Sequence, residues 1–206
     1  MDSAQKNQAL STPDAVGLGV FMLAGVTIAV WSIVAATLRI IEVLPGRDVP
    51  VLAVFDQTPA QAPIGPGGAD VVIMLEEALI TASELPAASV WALIIQQIIQ
   101  AGTVITVIVC LLLLVLSIMR GRVFCRRNTA LVTTAGLTAL VGFALVPFFG
   151  NMGANGAFAR ISAHTFENVI MSSDLMPFIV IAFVAALGST VFAVGDRLQR
   201  DTEGLV

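Results

Sequence analysis

Gln96, Gln97 and Gln100 interrupt an apolar run, and of these Gln96 and Gln100 recur with Thr103 at spacings of four and three. On a helix Gln96, Gln100 and Thr103 share one face, and within hydrocarbon such a face turns toward another helix or toward water in preference to lipid. Two amides and a hydroxyl placed this way have two uses. They can join helices, at about 0.6 kcal/mol per interhelical hydrogen bond, or they can line a path for a small solute in an oligomer. The surrounding run from Val90 to Met119 would measure about 45 Å as a helix, against a hydrocarbon core of about 30 Å, so the glutamines can also stand above the membrane.

Other residues with chemical potential are sparse. Arg39 and Glu42 lie three apart, and Arg160, His164 and Glu167 repeat the spacings of four and three. Both sets read as ion-paired helix ends at a membrane interface. Cys125 sits among Arg122, Arg126 and Arg127, where a thiol can be acylated in a suitable host; a plain loop thiol is the simpler reading. One histidine and two cysteines, without a Cys-x-x-Cys or His-x-x-x-His spacing, assemble no zinc site. Cys110 falls inside an apolar run and Cys125 in a basic loop, at different depths, which argues against a disulfide. No apolar run carries a mid-span ionisable residue of the kind that proton or ion coupling needs. The expectation is a protein that is not an enzyme and uses no cofactor.

The elements that must hold these residues are membrane helices. Hydrophobic residues make up 57% of the 206 and charged residues 12%, too apolar for a soluble domain of ordinary surface. Apolar runs place spans at about 16–38, 90–119, 129–149 and 175–194. The first follows a polar head with a single basic residue, Lys6, and continues through Trp31 toward Arg39, which reads as an uncleaved anchor instead of a secretory signal. The fold class expected is an all-α membrane protein, one four-span domain over residues 1–206, with a small outward-facing, β-containing insertion at 45–88. Gly17, Gly19, Gly25, Gly136 and Gly142 would let its helices approach closely.

Arg120, Arg122, Arg126 and Arg127 stand between the second and third spans. Lysines and arginines gather on the cytoplasmic side of membrane proteins. Lys6, these four, Arg197 and Arg200 fall on one side, against Arg39, Arg47 and Arg160 on the other. Both termini and the arginine loop are therefore expected in the cytoplasm, with 39–89 and 150–174 facing outward. The loop arginines are candidate contacts for anionic lipid headgroups or for a partner protein. Beyond this loop no basic face exists, and the net charge of −4 argues against direct nucleic-acid binding. In the tail, Arg197 and Arg200 alternate with Asp196, Asp201 and Glu203 ahead of apolar Leu205 and Val206. Such a tail can dock on a protein, or can simply hold the fourth span in place.

The insertion contains two apolar runs about a Pro/Gly-rich break, the pattern of a hairpin. Val49, Val51, Ala53 and Phe55 fall on one face of an extended strand, and Val71, Ile73 and Leu75 do the same in the second run. That second run also keeps a helical period through Met74, Leu75, Ala78, Leu79 and Ala82. The β-branched Val71, Val72 and Ile73, following Gly67 and Gly68, favour a strand.

Gly121, a variable pair, Phe124 and Asn128 between two spans, followed by the ending GDRLQRDTEGLV, resemble the bacterial membrane proteins grouped as domain of unknown function 2975, over about the last two thirds of the chain. What the resemblance implies is a four-span protein of the bacterial inner membrane, with no activity attached. It also implies a genomic setting beside a small helix-turn-helix regulator, hence a regulatory protein partner. The expected function is a non-enzymatic accessory or signalling component in the lipid bilayer, working with that partner and compatible with a homo-oligomer. The alternative is a small-solute transporter or channel subunit lined by Gln96, Gln100 and Thr103.

Overall fold

The computed structural model describes residues 12–161 and 175–203. Helix α1 runs Thr12–Val43, strands β1 and β2 run Val49–Ala62 and Val71–Ala82, and helices α2, α3 and α4 run Ala87–Met119, Arg126–Ile161 and Leu175–Glu203. In hydrocarbon every backbone N–H and C=O must be paired within the protein, so long apolar runs have the helix as their solution. All four helices are long and apolar enough to cross a membrane, which gives the chain the make-up of a multi-pass membrane protein with four spans. Large side chains such as Leu23, Trp31 and Phe183 are about two-thirds exposed or more. In water they would form an adhesive surface; in lipid they are ordinary solvent-facing groups.

The hairpin expected between the first two spans is present, and the second run is a strand. β1 and β2 pair antiparallel, from Val49 opposite Ala82 to Ala62 opposite Val71. Val49, Val51, Ala53 and Phe55 are all buried, the single face read from their alternation. β2 keeps that alternation only in two pieces. Ile73 and Leu75 are partly buried, then Ala78 and Ile80, with Ala82 fully buried, because the register shifts between Val54 and Thr58 and the face steps across Glu76 and Glu77. Val71, expected on the inner face, is exposed at the strand's start.

Helices α1, α3 and α4 run past the limits read from hydropathy, to Val43, Ile161 and Glu203. The largest difference is in α3, which continues through residues expected to leave the membrane after Phe149. Pro147 lies inside it, where it removes one backbone donor without ending the helix.

By contact the chain divides into two units. One holds described residues 35–100 and 143–161, so it contains the hairpin, the end of α1, the start of α2 and the last part of α3. Its core joins Val43, Val49, Val51, Ala82, Leu93, Ile94, Ala154 and Ala157. A second cluster sets Ala53 and Phe55 against Phe158, the two rings meeting edge to face at 5.0 Å. The other unit holds described residues 12–34, 101–142 and 175–203. In it α3 and α4 run antiparallel: a Cβ on Gly136 would lie 2.5 Å from that of Ala185, and Thr133 donates a hydrogen bond to Ser189 at 3.1 Å.

Candidate functional site

The arginine loop is a built turn. Gly121 takes φ +74°, the left-handed conformation that closes a helix at little cost only for glycine. Its N–H donates to the carbonyl of Ile118 at 2.9 Å, and the N–H of Arg122 donates to that of Ser117 at 3.0 Å. These two bonds form a Schellman closure at the end of α2. The carbonyl of Arg122 then accepts from Ser117 Oγ at 3.1 Å and from Asn128 Nδ2 at 2.7 Å, while the same Nδ2 donates to the carbonyl of Val123 at 2.8 Å. Two carbonyl acceptors on one nitrogen fix the orientation of the amide. Asn128 is fully buried and Ser117 nearly so. The turn is thereby held from both flanking helices, and Arg120, Arg122, Arg126 and Arg127 are all exposed around it.

Phe124 anchors the turn to α4. Its ring lies 5.8 Å from that of Phe192, and Gly195 lets it sit directly on the helix backbone, since a Cβ there would come within 2.5 Å of the ring. The tail residues thus begin as helix, because α4 continues through Glu203. Arg197 is exposed; Arg200, Asp201 and Glu203 lie on helical backbone, their side chains outside the described set. Arg126 and Arg197 line one cleft between α3 and α4, together with Thr129, Thr134 and Asp196.

The row of Gln96, Gln100 and Thr103 is divided. Thr103 packs on Gly142, where a Cβ would come within 2.5 Å of the threonine methyl. In the hairpin-bearing unit, a Cβ on Gly150 would lie 2.6 Å from Gln96 Nε2. Both residues are half-buried against α3, while Gln100 is exposed. Of the glycines expected to permit close approach, Gly25, Gly136 and Gly142 do so, whereas nothing lies within 4 Å of a Cβ on Gly17 or Gly19. The contacts that sequence reading missed are Gly150, Gly153 and Gly156, seated against Gln96, Leu93 and Ser89 of α2. Their strict spacing of three was the available signal.

Arg39 pairs with Glu42 at 2.6 Å, as their spacing implied, and it also donates to the carbonyl of Pro50. That second bond ties the end of α1 to β1. Arg160 is exposed at the end of α3; His164 and Glu167 lie outside the described residues. Cys110 is buried and Cys125 half-buried, both as free thiols. Among the described residues, no three His, Cys, Asp or Glu side chains gather closely enough to hold a metal ion.

The resulting site is a fixed, cationic turn at the junction of α2, α3 and α4. Its means are charge and shape, suited to holding an anionic group or an acidic surface. No family model, curated protein or solved structure matches the chain.

Proposed function

We propose that this chain is a non-enzymatic accessory or signalling protein of the bacterial inner membrane, presenting the arginine turn and the end of α4 to a partner protein in the cytoplasm. The observation that carries this reading is the construction of the turn. Asn128 and Ser117 converge on the Arg122 carbonyl and fix the backbone from which four exposed arginines project, so that the turn offers a partner a cationic surface on a constant frame. The distribution of lysine and arginine supports a cytoplasmic turn and cytoplasmic termini, with the hairpin outward. The resemblance to domain of unknown function 2975 agrees with a regulatory partnership. Less supports a solute path, since Gln96 and Thr103 are packed against α3 glycines.

The test is crosslinking in cells followed by purification, comparing the full chain with an Arg120→Gln/Arg122→Gln/Arg127→Gln variant at equal membrane abundance. A partner whose crosslink maps to the turn, and which the variant loses, supports the reading. Equal capture by both forms, or crosslinks mapping only to the hairpin, refutes it.

A further inference from the structure

Arg126, Thr129 and Thr134 occupy one face of α3 and Asp196 and Arg197 one face of α4, and these residues line a cleft of about 510 Å³ within a single contact unit. Arg126 opens the candidate span Arg126–Ile161, and Arg197 falls in the closing turns of the candidate span Leu175–Gln199. The cleft therefore lies where a span meets the headgroup layer. Two guanidiniums and one carboxylate leave one positive charge, which complements a singly charged phosphodiester better than a doubly charged phosphomonoester. Arginine offers a planar fork of donors matched to phosphate oxygens, and the start of α3 adds the positive end of its helix dipole. Thr134 is exposed on the same face of α3, about two turns further along. The remaining wall includes Ala130 and Ala193, whose small side chains leave room for a chain lying along the helices.

The geometry points to a binding site for one membrane phospholipid, its phosphodiester on Arg126 and Arg197 and an acyl chain along α3 and α4. This rests on the reading that α3 and α4 span a membrane. It assigns Arg126 and Arg197 to lipid, leaving Arg120, Arg122 and Arg127 to the partner.

Native mass spectrometry of the full chain in mild detergent, titrated with phosphatidylglycerol, tests it. Wild type is expected to retain one lipid, and Arg126→Gln/Arg197→Gln to lower its retention about tenfold or more. Arg126→Lys/Arg197→Lys should recover part of the loss, and Arg120→Gln/Arg122→Gln should behave as wild type. Retention unchanged in the Arg126/Arg197 variant overturns the site. An equal loss in the Arg120/Arg122 variant also overturns it, since that would be diffuse attraction of lipid to positive charge. Displacement of the lipid by excess inorganic phosphate overturns the lipid assignment in favour of a free anion. Resistance of each variant to carbonate extraction is measured in parallel, so failure of the spanning reading is seen separately. If the Gln variant fails to insert, Ala130→Phe fills the cleft without changing its charge and must produce the same loss.

Discussion

Asn128 offers the sharpest test of how the arginine turn is held. Replacing it by Ala removes donors at 2.7 and 2.8 Å from two carbonyls. Each neutral hydrogen bond contributes about 1 kcal/mol net, and a partly buried acceptor left without a partner costs about 1 kcal/mol more, the low end of what a buried one costs. The Arg122 carbonyl keeps Ser117 Oγ at 3.1 Å, so the larger share of the loss falls on Val123. Against this, Asn128 Oδ1 is itself buried without a partner, and its removal returns about 1 kcal/mol. The expected net loss is about 2 kcal/mol for Asn128→Ala. Asn128→Asp should cost more despite its equal size, because it turns acceptors toward two acceptors, while Ser117→Ala should cost about 1 kcal/mol. Both side chains donate to the Arg122 carbonyl, so the double variant should depart from additivity by about 0.5 kcal/mol or more. Equilibrium unfolding in mixed micelles reads all four. An Asn128→Asp protein as stable as wild type would refute the account, since no arrangement that needs the Nδ2 donors tolerates that exchange.

Three further outcomes are expected. Gly136→Ala should destabilise the protein by about 1–3 kcal/mol through collision with Ala185, outweighing a helix-propensity gain of about 1 kcal/mol; Gly17→Ala, which meets nothing within 4 Å, should be neutral or stabilising in the same micelle assay. Phe55→Ala should release the hairpin from Phe158 at a cost of about 3–5 kcal/mol, read as new proteolytic cleavage within residues 45–88; resistance equal to wild type would show that the edge-to-face pair is incidental. A membrane-impermeant maleimide should label Cys125 in inverted vesicles and not in intact spheroplasts, while buried Cys110 stays unlabelled in both. Labelling of Cys125 in intact spheroplasts would reverse the assigned orientation.

Hydropathy located the four helices because lipid leaves an apolar run of that length little alternative. The first half of β1 was equally legible, since Val49, Val51, Ala53 and Phe55 alternate without interruption, whereas residues 56–62, read from their prolines and polar residues as part of the break, continue the strand and pair with β2 from Thr58 opposite Leu75 to Ala62 opposite Val71. β2 was blurred because the register shift moves its inner face across Glu76 and Glu77, and alternation cannot signal a step contributed by the partner strand. The extension of α3 was misread for an energetic reason. Gly150, Asn151, Gly153 and Gly156 are poor helix formers, but here the glycines admit Gln96, Leu93 and Ser89 to the helix backbone, and close packing overrides propensity. The arginines were visible as charge, whereas the frame beneath them was not. Ser117 and Asn128 are unremarkable by type, and only their convergence on one carbonyl reveals what they hold.

The docking of the hairpin on the far part of α3 sets a timetable for synthesis. Phe55 and its platform Phe158 are about a hundred residues apart, which at about 5–20 residues per second is an interval of about 5–20 s. Throughout it, the inner face of the strand pair exists before the surface that covers it. During that interval Val49, Val51, Ala53 and Phe55 can be shielded only by the earlier-made ends of α1 and α2, to which Arg39 already tethers β1 through the Pro50 carbonyl. The early tether keeps a half-covered sheet beside its own chain while neighbouring nascent chains present competing edges.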